Sequence, residues 1–272
     1  MSKDFRYSCS CTLGIFSFVL TIVPESCFDI SYDILNLDSK YWIILNRVIF
    51  LLVTASVVFI YILLRRKFFT RSLDITGRNY SITIAYGDIF KKEECKKVIA
   101  FDECFTTDVG EQTWQIKPGS ICGQYLAKHS DLNIKQLIKD SKIQPSSTKS
   151  NFKGKTRYDS GKIVPNGDDL LMAFVKLTEE GTGLFSYEEY LSCLSVMWDE
   201  IYKYSSNKDV CIPIVGSGQT IINGKECSKQ ELLDLIIESY KLCKHKIKLP
   251  NKLIIVCRAK DGILLNQVGE SF

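Results

Sequence analysis

The sequence predicts an α/β domain in residues 78–272, preceded by two transmembrane helices in residues 1–72. Two observations support the domain: strand-like stretches alternate with helical patterns along it, and two of the helices begin with a recognisable cap. A third observation, an uncharged apolar segment near the N-terminus, predicts the membrane part. With 46 % hydrophobic and 24 % charged residues, the 272-residue chain has a globular composition on average.

The stronger membrane span is predicted at about residues 42–64. The 17 positions 48–64 carry no charge and as a helix extend about 25 Å, near the hydrocarbon thickness of a bilayer. Tyr41 and Trp42 precede this segment as interfacial aromatic residues. Arg47 lies near one end, where its side chain either reaches the interface or acts as a functional charge within the membrane.

A weaker span is predicted at about residues 7–24. Residues 7–23 are uncharged, and Lys3 and Arg6 precede them. A secretory signal peptide is one alternative, although no A-x-A-like cleavage site follows the apolar stretch, and an interfacial helix is another. As a span, this segment would complete a transmembrane hairpin.

The distribution of charge predicts the topology of this hairpin. Residues 65–71 include four Arg or Lys, and basic residues also precede the first span, whereas residues 25–40 contain four acidic residues and one lysine. By the positive-inside rule, the N-terminus and the α/β domain face the cytoplasm. We therefore expect a multi-pass protein of the cell inner membrane.

Cysteines, histidines and net charge exclude several classes of site. The eleven cysteines are odd in number and form no C-x-x-C pair, which is typical of small buried side chains in a reducing compartment. The two histidines, His129 and His245, are far apart, so neither a metal site nor a Cys/His nucleophile pair is indicated. The net charge of +4 is modest and its densest cluster is juxtamembrane, so no nucleic-acid partner is expected.

Within the domain, strands are predicted at residues 80–86, 97–101, 170–177, 210–215 and 252–257. Two helices between them begin with S-x-x-E capping boxes, at Ser186–Glu189 and Ser228–Glu231. Such alternation predicts a sheet covered by helices on both faces. The polar stretch 141–162 interrupts the pattern and is interpreted as a long mobile loop, either a disordered insert or a ligand lid.

Two strand ends have unusual sequences. Gly87-Asp88 follows the first predicted strand, and open α/β sheets bind ligands at the carboxyl ends of their strands. Alternatively, Asp88 belongs to an ordinary Asx turn. The stretch "IPIVGSGQT" provides Gly216, Gly218 and neighbouring hydroxyls for an anion-binding concavity, although it matches neither a Walker A loop nor a dinucleotide fingerprint. A tight turn without a ligand is the alternative.

Taken in order, "ITIAYGDIF", "KVIAFDECF", "IKPGSICGQYL" and "DVCIPIVGSGQT" resemble a macro domain, the ADP-ribose-binding α/β fold with a mixed sheet between helices. The resemblance extends from about residue 79 to the C-terminus. A two-helix hairpin fused to such a domain is similar to the membrane effectors of type II Thoeris antiphage systems. That resemblance implies a partner TIR-domain enzyme, which consumes NAD to make an ADP-ribose-based signal that the macro domain receives.

The resemblance also implies roles for individual residues. Asp88 would hold the adenine amino group with the Ile89 backbone N–H beside it, and the diphosphate would lie against a loop of five residues: Gly216, Ser217, Gly218, Gln219 and Thr220. The segment 102–107, with Asp102, Phe105 and Thr106, would lie beside the distal ribose, where Phe105 either stacks or packs. Ser120 and Gly123 would line the pocket or, alternatively, serve the start of a helix.

One departure from the family pattern bears on activity. Hydrolytic macro domains keep an Asn in the loop that 102–107 replaces, followed by a glycine-rich run, and neither is present here. The expected function is therefore ligand binding without catalysis and without a cofactor, followed by self-association in the lipid bilayer and growth arrest or cell death. A membrane-anchored ADP-ribosyl hydrolase is the main alternative. The other is an anchored α/β domain whose G-x-G is only a turn.

Overall fold

In a computed structural model, the structure describes residues 13, 14, 17, 21, 24, 39–69, 72–218, 220–224 and 227–270. The chain divides into two compact units, Met1–Thr70 and Arg71–Phe272. The helices are α1 (Ser39–Phe69), α2 (Ile121–Lys128), α3 (Ile134–Ser141), α4 (Tyr187–Tyr204) and α5 (Lys229–Leu242), with short 3-10 turns at Ile89–Lys91, Ala259–Asp261 and Leu265–Gln267.

The first unit contains α1, a helix of 31 residues. Its segment Tyr41–Tyr61 has a mean hydropathy of 2.5 and is the one helix among the described residues long and apolar enough to cross a membrane. The stronger predicted span, at about residues 42–64, lies within α1. The weaker span predicted at 7–24 falls largely outside the described residues, so the hairpin remains a prediction.

The second unit is built on nine strands, β1 (Ser72–Thr76), β2 (Ser81–Tyr86), β3 (Cys95–Asp102), β4 (Ile163–Asn166), β5 (Asp169–Leu177), β6 (Gly183–Phe185), β7 (Asp209–Pro213), β8 (Thr220–Ile222) and β9 (Leu253–Cys257). Their order is β1-β2-β9-β7-β3-β5-β6-β8, and β4 pairs with β5. The five strands β2, β9, β7, β3 and β5 are parallel to one another. β1 pairs antiparallel with β2, and β4 and β6 pair antiparallel with β5, whereas β6 and β8 are parallel. The predicted mixed sheet is confirmed.

Helices cover both faces of this sheet, because successive side chains of a strand point to opposite sides. On β3, Val98 joins the larger apolar core together with residues of α4 and α5, and Ile99 joins a second core with residues of α2 and α3. On β5, Met172 and Ala173 divide in the same way. The near-continuous apolar runs that predicted these strands follow from this double burial.

Both predicted capping boxes are present. At the start of α4, Ser186 Oγ accepts the Glu189 N–H at 3.1 Å and Glu189 accepts the Ser186 N–H at 2.8 Å. At the start of α5, Ser228 and Glu231 repeat the arrangement with the same two distances. Each box satisfies two backbone donors that the first helical turn leaves free.

The stretch 141–162 is not the disordered insert that was one interpretation of its polar composition. Phe152 is 2 % exposed and Ser150 is buried, so the loop packs against the rest of the domain. Its two limbs are joined by hydrogen bonds, including Ser146 N–H to Arg157 O at 2.9 Å. Polar composition was misleading because the loop packs around a charged group of the domain, the carboxylate of Glu103.

Candidate functional site

A cleft of about 390 Å³ opens at the carboxyl ends of the parallel strands. Its walls come from the ends of β3, β5 and β7, the residue after β9, and the segment 113–122 that leads into α2. Of the residues predicted for the site, the structure brings six together in this cleft: Asp102, Ser120, Gly216, Ser217, Gly218 and Thr220. The edge of the sheet where the sequence predicted a ligand is therefore concave.

The glycine turn after β7 forms one wall. Gly216 has φ +88°, a left-handed conformation that glycine adopts without steric cost. Tyr190, fully buried, donates its hydroxyl to Val215 O at 2.9 Å and so fixes the turn from below, and Ser217 N–H donates to Ile214 O at 3.2 Å. The N–H groups of Gly216 and Gly218 make no hydrogen bond to any other described residue. They remain free to bind an anion.

Gly218 differs from Gly216 in what surrounds it. It is exposed, it does not have a positive φ, and a Cβ built on it would meet nothing within 4 Å. A side chain at this position would therefore extend into open space at the cleft wall without straining the backbone. By contrast, a Cβ on Gly216 would come within 3.5 Å of the rings of Phe174 and Tyr190.

The opposite wall is the start of α2. Ser120 is the N-cap: its Oγ accepts the Gly123 N–H at 3.0 Å and donates to Lys117 O at 2.7 Å. A Cβ on Gly123 would lie 2.3 Å from Lys117 O, so Gly123 serves close packing, as its alternative interpretation proposed. Ser120, Ile121 and Cys122 line the cleft, which places the positive end of the helix at the ligand space.

Asp102, the last residue of β3, lies on the cleft floor. Its carboxylate accepts the Cys104 N–H at 2.8 Å, the Thr106 N–H at 3.2 Å and the Thr106 hydroxyl. Burial raises the pKa of Asp102, and these hydrogen bonds offset part of that shift. The carboxylate is thus held by three local donors.

Asp88 and Ile89 lie at the same edge of the sheet but outside the cleft walls. Asp88 Oδ1 accepts the Phe90 N–H at 3.0 Å and caps a 3-10 turn, and Ile89 is 3 % exposed. Gly87 N–H donates to Cys257 O at 2.9 Å, so Asp88 neighbours the end of β9. The exposed Asp88 carboxylate is one strand away from the cleft, and its adenine contact remains a prediction.

The remaining predicted residues are divided between the interior and undescribed parts of the chain. Phe105 is 2 % exposed, with its ring centroid 5.9 Å from Phe101 and 5.6 Å from Tyr158, so it packs in the core rather than at the cleft wall. Thr106 is buried and donates its hydroxyl to the Asp102 carboxylate. Gln219 lies outside the described residues.

The cleft wall also contains residues that were not predicted from the sequence, among them Trp114, Lys117 and Arg258. Trp114 packs against the buried Phe152 of the 148–157 loop, with ring centroids 6.2 Å apart. The sequence offered a signal for two of these residues. Trp114 is an aromatic residue within the polar stretch "GEQTWQIKPG", and Arg258 directly follows the last strand.

Arg258 is held in place by Asp261. The Arg258 N–H donates to Asp261 Oδ2 at 2.9 Å, and Lys229 Nζ lies 3.1 Å from Oδ1 of the same carboxylate. Burial alone would raise the pKa of Asp261, but the Arg258 backbone and the Lys229 ammonium outweigh it and hold that pKa below its ordinary value. Among the described residues, no cluster of His, Cys, Asp or Glu is placed to hold a metal ion.

Comparison with solved structures returns macrodomains. A mutant macrodomain of Oceanobacillus iheyensis with ADPR gives a TM-score of 0.45 at 12 % identity, covering 70 % of this chain and 92 % of that one. The DarTG protein of Thermosipho africanus in complex with ADP-ribose gives 0.37 at 13 % identity, covering 72 % and 46 %.

The sequence matches are the stronger findings. The chain is 31 % identical over 259 residues to the Thoeris protein ThsA of Bacillus amyloliquefaciens (strain Y2), covering 92 % of this chain and 85 % of the relative. The family model for the macro domain of Thoeris protein ThsA matches residues 82–258. The cleft and the parallel strands around it lie within that range. The chain therefore belongs to the ThsA family of Thoeris proteins and carries its macro domain.

Proposed function

We propose that this chain is a membrane effector of antiphage defence that binds an ADP-ribose-derived signal. A partner TIR-domain enzyme makes that signal from NAD. Ligand binding assembles copies of the chain in the inner membrane, disrupts the bilayer and arrests growth or kills the cell. The chain acts as a receptor, not as an enzyme, and the nucleotide is a ligand, not a cofactor.

The observation that carries this proposal is the set of positively polarised groups that line the walls of the cleft. The free N–H groups of Gly216 and Gly218, the start of α2 and Arg258, whose guanidinium also pairs with Asp261 at 3.4 Å, all lie along its walls. Such groups bind a diphosphate through hydrogen bonds and charge.

Binding without turnover is supported by how Asp102 is held. A general base must direct a lone pair at the proton that it removes, but three donors from Cys104 and Thr106 already bond this carboxylate. The raised pKa of Asp102 is the feature that would favour the alternative, an ADP-ribosyl hydrolase. Release of ADP-ribose from an ADP-ribosylated protein, lost in Asp102→Ala, would establish that alternative.

The membrane hairpin has support from α1. One face of this helix is half-buried, at Ile43, Arg47, Phe50, Thr54 and Val58, whereas Ile44, Val48 and Leu52 on the other face are exposed. The spacing of three and four residues is that of one helix packing beside another. The second unit contains about three quarters of the residues, whereas the alignment with the relative of Bacillus amyloliquefaciens covers 92 % of the chain. The alignment therefore extends into the first unit.

Assembly requires that the ligand prefer the assembled state. A ligand shifts an equilibrium only by its differential affinity, and moving it from 1:99 to 99:1 takes about 5.5 kcal/mol. When several copies assemble, each with one occupied cleft, this free energy is divided among them.

The test uses the full chain in detergent and in cells. ADP-ribose, or the product mixture of a TIR enzyme acting on NAD, is expected to bind and to raise the oligomeric state, and the same signal made in the cell is expected to arrest growth. Thr54→Phe, on the half-buried face of α1, should abolish the arrest and leave ligand affinity unchanged; Val48→Phe on the exposed face is its control. Arrest by the α/β domain without its membrane segment would disprove the mechanism.

A further inference from the structure

Two cysteines on neighbouring strands of the sheet have their sulfur atoms in contact. Cys95 is the first residue of β3, Cys211 lies in β7, and their two Sγ atoms are 2.8 Å apart. The two positions are separated by 116 residues in the sequence, so it is the fold that brings them together. Both are free thiols in this structure, and both are buried.

The pairing of β3 with β7 explains this contact. The two strands are parallel and pair over three residues, Cys95–Lys97 with Asp209–Cys211. Cys95 and Cys211 belong to the same small apolar cluster, together with three aliphatic residues, so both side chains lie on one face of the sheet. Thiols on the same face of adjacent strands can form a bond without any change in strand order.

The contact makes the two sulfur atoms unequal. The Cys211 S–H donates to the Cys95 sulfur, and this hydrogen bond lowers the pKa of Cys95; burial opposes the shift, and the Lys97 and Lys92 charges add to it. The same contact, together with burial, raises the pKa of Cys211. Because the thiolate is the form that reacts with oxidants, Cys95 is the sulfur that reacts first. Cys211 is then in place to attack the oxidised Cys95.

A short turn covers Cys95 on the solvent side. The Cys95 thiol lies 3.7 Å from Lys92 O, and Glu93 and Glu94, between these two residues, are exposed. Glu94 has φ +55°, a left-handed conformation that is unfavourable for a residue with a side chain. We therefore expect the turn to open locally at a small cost in free energy, which admits a molecule as small as hydrogen peroxide while the sheet stays folded.

We propose that Cys95 and Cys211 are a redox-active pair that forms a disulfide when the chain meets a peroxide. The Cys95 thiolate attacks one oxygen of hydrogen peroxide, the O–O bond breaks, and Cys95 becomes a sulfenic acid while the other oxygen leaves as hydroxide. The Cys211 sulfur then displaces the sulfenic hydroxyl group, and the S–S bond forms as water is released. In total, the two thiols lose two electrons and two protons, and one hydrogen peroxide becomes two water molecules.

The disulfide joins the two strands just before they reach the cleft. The pairing of β3 with β7 ends at Lys97 and Cys211, and the later residues of both strands line the cleft walls. The pair is separate from the nucleotide site and does not depend on the function proposed for it. A bond that closes a loop of 116 residues restricts the unfolded chain, so oxidation is expected to stabilise the fold.

Differential alkylation of the full chain in detergent tests the proposal, with hydrogen peroxide as the oxidant. After the treatment, free thiols are blocked in denaturant with one reagent, disulfides are reduced, and the released thiols are labelled with a second reagent. We expect the second label on Cys95 and Cys211 in equal amounts, and, without reduction, a cross-link between the tryptic peptides 93–96 and 209–225. The buried Cys193 is the internal control and should carry only the first label.

Cys211→Ala keeps Cys95 and removes its partner thiol. Cys95 should then remain a sulfenic acid that dimedone traps, and peroxide should no longer raise the midpoint of thermal unfolding, a rise on the order of 5 °C in the unmodified chain. Cys257→Ala, at a buried position in β9, is the matched control and should keep both the cross-link and the rise. If either variant fails to fold, the labelling of the unmodified chain decides the question by itself.

Two results would overturn the proposal. One is the recovery of Cys95 and Cys211 as free thiols from the folded chain after treatment with peroxide. The other is a set of cross-links that shows no preference for this pair.

Discussion

Arg157 Nη1 lies 3.2 Å from Glu103 Oε2, and the Glu103 side chain is 2 % exposed. This ion pair connects the polar 148–157 loop to the strand end next to Asp102. The Glu103 backbone takes part as well, since it accepts the Tyr158 N–H at 2.8 Å and donates to Val175 O at 3.0 Å. The loop is thus fastened to the sheet by a buried charge.

Glu103→Gln is expected to lower the free energy of unfolding by about 3 kcal/mol, because breaking a buried pair leaves Arg157 without its carboxylate. Denaturant unfolding of the full chain in detergent measures this change. Glu179→Gln, at an exposed position in the turn between β5 and β6, should change stability by less than about 0.5 kcal/mol. Equal effects of the two substitutions would contradict a structural role for the pair.

Gly218→Asp should weaken ADP-ribose binding at least about tenfold, since a carboxylate would stand beside the bound diphosphate. Gly218→Asn has nearly the same shape without the charge and should retain most of the affinity. Calorimetry on the full chain distinguishes the two variants. If Asn is as harmful as Asp, the effect is steric and no anion binds at this turn.

Gly216→Ala should destabilise the fold by about 1 kcal/mol or more, because φ +88° is unfavourable for alanine. Gly218→Ala is the control and should be nearly neutral in thermal unfolding. A neutral Gly216→Ala would mean that the turn adopts another conformation.

Affinity for ADP-ribose should rise as pH falls through the raised pKa of Asp102. Asp102 has a folded pKa above its unfolded value, so the stability linked to its proton is present at low pH and lost as pH rises through the folded pKa. An anionic ligand also favours the protonated acid, so binding takes up a proton. Asp102→Asn should flatten the pH dependence of the dissociation constant; an unchanged slope would assign it to another group.

Trp114→Ala should weaken ligand binding about twofold to tenfold through loss of an aromatic wall, and Trp114→Phe should retain most of it. The other two tryptophans are Trp42 in α1 and Trp198, which is 1 % exposed in the core. A ligand-induced change in tryptophan fluorescence should therefore vanish in Trp114→Phe even though binding persists. Persistence of the signal would place the ligand elsewhere.

The elements of the fold that could be predicted are those whose own sequences indicate their secondary structure. Strands β2, β3, β5, β7 and β9 are apolar and buried, and the helices α4 and α5 begin with capping boxes, so each segment reports its own structure. The short strands β1, β4, β6 and β8 were missed, because their pairing partners stabilise them more than their sequences do.

The site divides in the same way. The glycine turn and Asp102 follow predicted strands, so their place at the carboxyl edge was predictable from topology. Trp114 packs at the cleft against Phe152, which is 38 residues away in sequence, so this contact could not be predicted from local signals. Arg258 directly follows the last strand, and its place at the cleft could have been predicted in the same way as that of the glycine turn. Phe105 was ambiguous because the sequence does not show that Phe101 and Tyr158 enclose it.

β9 is the last of the described strands along the chain, and it lies inside the sheet, between β2 and β7. Because residues 253–257 are synthesised after the other eight strands, no strand connects β2 to β7 until β9 has been made. Arg258 follows β9 and appears later still. A nascent or truncated chain that ends before residue 253 therefore lacks both the strand between β2 and β7 and the Arg258 wall of the cleft.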